Sequence, residues 1–454
     1  MAEAPLELAE RALSYADGDA QVTVVHERSL SARFARSAPT QATGVDDTTV
    51  EILCLRDGHT ASATTNRLDE DSLHAAARKA DAVARAAARA GRGDHPGLPA
   101  AVDATPVAGW DAETAELDPA RSADALRTAF RGAGDAGLEA FGLWTAGAVR
   151  TAIATSSGVR ATDDVTDAFM KVVCRDADGR SGYAADTARS AAELDAAALA
   201  RRAVEHAPRE DGVAVEPGEY PVVLSAEAVA VLLEFAGWLA FNGLAHAERR
   251  GALSGRLGEQ VAAPSITLSD MGSFPRTLAR AYDADGVPKQ AVPLIRDGVA
   301  TAVVHDLRSA AVAGHGARST GHAVEAGGSP EGAFPTNLVL LGGGAADEAA
   351  LAAPIERGIY VTRLWYVNVV HERQTLLTGM TRDGTFLIED GRIGRPVTDV
   401  RFTDSVLRIL QDTEELTAGQ RLVSEGEFYG RRFANGVVCP ALRARGFRVT
   451  GATR

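Results

Sequence analysis

The sequence predicts an α+β protein of two domains, and three observations carry that expectation. A β-meander between residues 21 and 66 passes directly into a strong helical pattern at 68–90, the strands-then-helix order of an α+β domain. Beyond residue 215 one helix is clear, at 226–241, and the remainder is rich in strands and turns. The 454 residues, 46% hydrophobic and 24% charged, are enough for sizeable cores in more than one domain.

Taken in order, MAEAPLELAERALSYADG carries acidic residues and no basic segment before an apolar core. It reads as a helix, over 6–15, rather than a signal peptide. From Gln21, QVTVVHERSLSARFARS alternates well enough for two strands, and TTVEILCLRDGHTASATTN adds a turn at Arg56-Asp57-Gly58. The helix at 68–90 is alanine-rich, with Asp69, Asp71 or Ser72 as its cap. Residues 91–109 hold three prolines and no periodicity, the mark of a surface loop or linker. A second helix is expected over 118–134, several strands over 142–188, a helix over 191–207 and a short strand within 216–225. A boundary near 210–216 divides the chain into 1–212, an N-terminal α+β domain, and 213–454, a strand-rich C-terminal domain. In the latter, VPKQAVPLIRDGVATAVVHDL, TNLVLLGGG, GIYVTRLWYVNVV and GTFLIEDGRIGRPV fit strands, and RFTDSVLRILQDTEEL, from Arg401, fits one helix.

Composition narrows function. The formal charge is −14, from 61 acidic and 47 basic residues, which disfavours a nucleic-acid binder, because neutralising phosphates needs a basic surface. No run of about 18 apolar residues occurs, so no membrane span is expected. Cys54, Cys174 and Cys439 are far apart and form no CxxC, the pattern of a reduced, cytoplasmic compartment.

An ordered set of phrases is more specific. GEYPVVLS, SGRLGEQVAAPSITLSD, YDADGVPKQAVPLIRDGVATAVVHDLRSA, STGHAV, PTNLVLLGGG, IERGIYVTRLWYV and TGMTRDGTFLIEDGRIGRPV follow one another, and PALRARGFRVTGA lies near the end. This series resembles the TldD/PmbA (TldD/TldE) family, long described as modulators of DNA gyrase. RFARSAPTQ, the strand ending in TTN and LDEDSLHAAARKA resemble it too, so the likeness covers about 20–90 and 216–450. It implies a C-terminal domain of the TldD/PmbA type and two kinds of subunit. One is a zinc peptidase with HExxxH on a helix of the C-terminal half and a later Cys. The other, PmbA or TldE, lacks those ligands and pairs with the first.

The stretch WLAFNGLAHAERRGAL, 238–253, is therefore decisive. It holds one histidine, His246, with Glu248 two positions on, and no HE pair. On an α-helix those two point about 200° apart and cannot copy the HExxxH geometry. Asn242, His246 and Glu248 are read as a degenerate metal-site region on a buried helix closed by a glycine turn, with no metal held. His371-Glu372 is the one HE pair of the C-terminal half, and no histidine follows it; it reads as a polar turn between strands. His305, His315 and His322 fall within 18 residues on an expected strand followed by loops. They are either ordinary loop histidines or contacts to substrate, and the resemblance implies that this region lies near an inner cleft. Arg363, between aromatics in YVTRLWY, either holds a peptide carboxylate or pairs with an internal Asp. Cys439 reads as a small buried residue.

The expectation is a cytoplasmic TldE/PmbA-like subunit with no catalytic residue and no cofactor of its own. Its peptide cleft would draw on His305, His315, His322, Arg363 and His371. By resemblance, a TldD-like partner supplies zinc and the general base, and the heterodimer encloses a chamber that trims unfolded or modified peptides. The alternative is a stand-alone homodimer that binds a peptide or modulates gyrase without peptidase work.

Overall fold

The computed structural model describes residues 3–452 apart from 425 and 427–429. Its first half contains helices α1 (Pro5–Leu13), α2 (Glu70–Ala88), α3 (Ala112–Ala115), α4 (Pro119–Asp135) and α5 (Ala196–His206). Its strands there are β1 (Ala20–Ala35), β2 (Ala38–Arg56), β3 (His59–Thr65), β4 (Glu139–Thr155), β5 (Arg160–Arg175) and β6 (Ser181–Ala188). All six strands form one sheet in the order β3-β2-β1-β4-β5-β6.

Where two strands were expected from Gln21, the chain makes one 16-residue strand. The turn falls at Arg36 and Ser37, both in the left-handed region (φ 52° and 55°), the backbone that a two-residue hairpin between right-twisted strands requires. The next turn, at Asp57-Gly58, is where the sequence places it, with φ values of 47° and 80°. Asp69, one of the three expected caps, accepts the Ser72 N–H at the start of α2. The 91–109 stretch has no regular structure, but it is tied to both halves: Ser157 Oγ donates to Pro99 O and the Tyr282 hydroxyl accepts the Ala104 N–H.

Because side chains alternate across a strand, this sheet has two different faces. Val22, Val24, Ala152 and Ala154 pack under α1 and α2, while Trp144, Met170 and Ala184 pack under α4 and α5. The opposite face carries Thr23, Val25, Val149, Asp163, Val165, Asp167 and Phe169, and this face meets the second half of the chain.

The second half contains β7 (Gly218–Leu224), α6 (Ala226–Leu239), α7 (Gly243–Ala247), β8 (Leu268–Asp270), β9 (Val292–Arg296), β10 (Val299–Ala300), α8 (Leu307–Ala313), β11 (Asn337–Leu340), α9 (Glu348–Ala352) and β12 (Arg357–Val361). These are followed by β13 (Leu364–His371), β14 (Leu376–Thr381), β15 (Thr385–Glu389), β16 (Arg392–Pro396), β17 (Val400–Ser405), α10 (Val406–Gln411), β18 (Thr413–Leu416), β19 (Arg421–Val423), β20 (Gly436–Cys439) and β21 (Leu442–Ala452). One sheet runs β10-β9-β8-β11-β20-β19, and a larger one runs β13-β14-β17-β21-β7-β12-β15-β16, with β18 on β21. A single core joins them around α6, which is apolar nearly all round and buries ten of its 14 residues.

Two expectations here are corrected. Residues 401–416 are not one helix: Val400, Phe402 and Asp404 face inward at strand spacing, Ser405 caps the six-residue α10, and β18 follows. Residues 303–322 are not a strand followed by loops either. Asp306 accepts the Ser309 N–H and starts α8, and Gly314, at φ 62°, ends it.

The two halves are joined by a buried arginine, Arg432, and a half-buried one, Arg421. Arg432 reaches into the N-terminal sheet and places Nε and Nη2 each 2.7 Å from the Asp167 carboxylate, and both side chains are only 3% exposed. Its Nη1 donates to Thr145 Oγ1 and its backbone N–H to Glu27. Gly147 lies beneath the guanidinium, and a Cβ there would fall 2.3 Å from Arg432 Nε. Arg421 makes a second link, 2.6 Å from Glu227 on α6 and 3.1 Å from Asp186 on β6. Removing one partner of a buried pair strands the other charge, so Arg432→Ala is expected to destabilise the protein by about 3–5 kcal/mol in urea unfolding. Gly147→Ala, which displaces the same guanidinium, is expected to act in the same direction.

Candidate functional site

A groove of about 420 Å³ runs between α6, β13 and the N-terminal sheet. Glu227, Ala230, Val231, Glu234 and Phe235 line it from α6. Their i, i+3, i+4, i+7, i+8 spacing makes them one stripe of that helix. β13 forms the opposite wall and is an outermost strand of its sheet. Its pairing with β14 slips between Trp365 and Asn368 and again between Val369 and His371, and Tyr366 is left-handed at φ 51°. Tyr366 is 73% exposed and Val370 53%. An outer strand offers unpaired backbone groups to any extended chain laid beside it.

Arg363 answers the choice left open by the sequence. It pairs with an internal carboxylate, Asp383, at 2.8 Å, and stacks between Tyr183 and Trp365 at 4.0 and 4.4 Å from the ring centroids. It is a fixed part of the groove floor. Beside it Asp399 is pushed up to about 6, first by burial and then by the charge of Asp383.

The donors of this face do not make a zinc site. Among the described residues, α6 is the one helix of the second half longer than seven residues, and its groove face carries no histidine. Glu227 is engaged by Arg421. The Cys439 thiol donates to Ala226 O at 3.2 Å, and burial raises its pKa well above the ordinary range. No group of three or more His, Cys, Asp or Glu among the described residues is placed to hold a metal.

The stretch 238–253 holds the end of the helix expected over 226–241 and then a separate short one. α6 ends at Leu239, and Asn242 begins a separate five-residue helix. Its Oδ1 accepts the Ala245 N–H and its Nδ2 donates to Glu331 O. Gly243 lies so close to Val304 O and His305 Nδ1 that a Cβ would stand 2.3 Å from each, so the chain breaks here to let the two segments touch. Glu248 pairs with Arg250 at 2.7 Å.

The histidines named from sequence separate into three places. His246, His305 and His315 line one cleft of about 1040 Å³, together with Arg249 and Arg373. His322 is buried elsewhere, with Nε2 3.0 Å from Asp270 Oδ1 and Lys289 3.8 Å from the same oxygen. It lines a small cavity against the N-terminal sheet. His371 is exposed at the end of β13 and belongs to neither.

The sequence pattern of the PmbA/TldA metallopeptidase C-terminal domain matches residues 217–451, and that of the same group's domain 1 matches 20–89. The chain belongs to the PmbA/TldD family. Among curated relatives, a metalloprotease TldD homolog of Haemophilus influenzae is 27% identical over 248 residues, 53% of this chain and 50% of that protein. A metalloprotease of Methanothermobacter thermautotrophicus is 26% identical over 225 residues, 49% of this chain and 48% of that protein. The chain thus spans about half the length of the curated relatives it matches. Among solved structures, TldE from Thermococcus kodakarensis superposes with a TM-score of 0.85 at 20% identity, covering 99% of this chain and 100% of that one. A Thermotoga maritima protein described as a candidate modulator of a DNA gyrase gives 0.82 at 20% identity, covering 98% of this chain and 99% of that one.

This PmbA/TldD fold brings together groove residues the sequence did not single out: Tyr183, Glu234, Phe235 and Trp365. The α6 stripe was readable as a helical repeat, whereas Tyr183 comes from the other half of the chain and left no local signal. The Asp399 carboxyl yields a test. A carboxyl whose pKa is raised in the folded state disfavours folding once it ionises, so its cost grows as pH rises from about 4 to about 6. Asp399→Asn is expected to stabilise the protein by roughly 2–3 kcal/mol at pH 7 and by almost nothing at pH 4. Urea midpoints measured at both pH values would show it.

Proposed function

We propose that this chain is a non-catalytic, TldE/PmbA-like partner of a TldD-like zinc metallopeptidase, and that its groove and outer strand hold the peptide. The carrying observation is the groove itself: an α6 face without histidine opposite a strand that, among the described residues, is outermost in its sheet. The fold match to TldE over the whole chain supports the reading. In it, zinc and the general base come from the partner, and this chain holds no metal. An extended peptide adds to the edge of β13 through main-chain hydrogen bonds, a mode that reads backbone rather than side chains and suits unfolded or modified peptides. Phe235 and Tyr366 give apolar contact without selecting one residue type. The pair works in the cytoplasm.

The Thermotoga neighbour's description as a candidate gyrase modulator prompts a second reading, in which this chain is a homodimer that binds a peptide or modulates gyrase without proteolysis. Purification from the native host separates the two. The proposed pair is expected as a complex with a second chain of the family and about one zinc per pair, and with peptidase turnover that this chain alone lacks. A metal-free homodimer without co-purifying peptidase would support the second reading. One zinc per copy of this chain would end both.

Within the pair, His371→Ala is expected to leave turnover within about tenfold, since loss of a general acid or base costs 10²–10⁴-fold. Methylating alternate backbone nitrogens of a peptide substrate is expected to raise KM by at least about tenfold, in only one of the two alternation registers, because edge pairing uses every second N–H.

A further inference from the structure

The cleft that gathers His246, His305 and His315 has a distinctive charge make-up. Arg249, Arg373 and Ser254 complete its polar lining, and no carboxylate lines it, although the whole chain carries a net charge of −14. Neither arginine makes an ion pair or side-chain hydrogen bond among the described residues, and both are exposed. The neighbouring Arg250 is different, held by Glu248 at 2.7 Å and Glu372 at 3.7 Å. Those two acids are therefore engaged, and the arginines facing the cleft remain available.

The imidazoles add directed donors. His305 Nδ1 lies 3.2 Å from Ser309 Oγ. When that hydroxyl donates to Nδ1, the proton of the ring sits on Nε2, which has no protein acceptor among the described residues. His246 Nδ1 is buried without a hydrogen-bond partner. His246 and His305 are both held below the ordinary imidazole range, mainly by burial, and for His305 also by the nearness of His246; Asp306 opposes this at His305. With no anion beside them these two rings are mostly neutral at pH 7, and the arginines carry the charge. A bound anion reverses the burial penalty and favours protonated rings.

Position supplies the ligand. β13 begins at the groove, where Leu364 to Val367 line the wall, and ends at His371. The single helical turn that follows, Glu372–Gln374, puts Arg373 into the histidine cleft. An eight-residue strand covers about 26 Å, so a peptide of similar length along its edge runs from the groove to the cleft.

We propose that the cleft of His246, His305, His315, Arg249 and Arg373 is a carboxylate-binding subsite that receives an acidic side chain or the free C-terminus of an extended peptide lying along β13. This deepens the peptide-holding reading above and rests on it only for the source of the carboxylate. The chain thereby selects acidic peptides, although the groove reads backbone alone.

The test is calorimetric titration of the full chain with four probes: an alanine-rich octapeptide ending in three glutamates, its C-terminal amide, an all-alanine counterpart with an amidated end, and inorganic phosphate. The acidic octapeptide is expected to bind at least about tenfold more tightly than the all-alanine amide at pH 6.5, with the margin shrinking by pH 8 as the rings lose protons. Comparison of the acid with its amide separates side chain from terminus. In the double variant Arg249→Asn, Arg373→Gln the margin is expected to vanish while the all-alanine peptide binds as before. Asn is chosen at 249 because the backbone there is left-handed, at φ 59°; circular dichroism checks the fold. Equal binding of acidic and all-alanine peptides would overturn the subsite and leave the groove reading standing. A preference that survives the double variant would overturn the assignment to these arginines. Phosphate binding as tightly as the acidic peptide would overturn the link to β13. If no peptide binds, both readings fall.

Discussion

Arg432 carries a guanidinium into the middle of the N-terminal sheet, where Asp167 and Thr145 receive it and Gly147 leaves it room. A charge taken out of water costs several kcal/mol unless it is matched by a partner in good geometry. The pair therefore acts as a register pin, because a sheet slipped by one residue would turn Asp167 to the helix-covered face. The second link, Arg421 with Glu227 and Asp186, ties α6 to β6. These contacts bring Tyr183 of the first half and α6 and β13 of the second to one groove.

The same constraint decides what α6 is. The helix is buried on nearly all sides; the stripe from Glu227 to Phe235 lines the groove, and Trp238 is exposed beyond it. The buried residues away from that stripe are set by packing between two sheets, so they carry no information about substrate. Of the stripe, Glu227 is taken by the interdomain ion pair. This leaves a surface that is mostly apolar and faces an outermost strand.

Much of the fold was legible because its signals are local. The Asp69 cap, the Asp57-Gly58 turn and the strands of 142–188 depend on neighbours in sequence. The failures share a cause as well. In 401–416 the inward pattern of Val400, Phe402 and Asp404 is only one short strand long before Ser405 caps a helix, too brief for one period to outweigh the other. Near α8, a seven-residue helix hides in an alanine-rich stretch with no strong amphipathic face. The histidines illustrate the limit for sites. His305 and His322 are linked through Thr320, which hydrogen-bonds both, yet one opens to a cleft and the other faces Asp270 in the interior. Sequence spacing showed that they were near, and only the fold shows which way each faces.

That difference also bears on His246. It attracted notice as a relic of a metal site, and the structure gives it no partner for a metal; Asn242 beside it is a helix cap. Its place is instead fixed by the break after Leu239, which turns α7 toward the segment of His305. Two histidines brought together without a carboxylate between them repel each other's protons, which is unfavourable unless an anion intervenes. Arg249 and Arg373 alongside make no ion pair among the described residues, and the lining of the cleft carries no counter-charge of its own in an otherwise acidic protein. A ligand that supplies the missing charge from one end of a strand-bound peptide satisfies both features at once: the imbalance of the cleft and the open edge that leads to it.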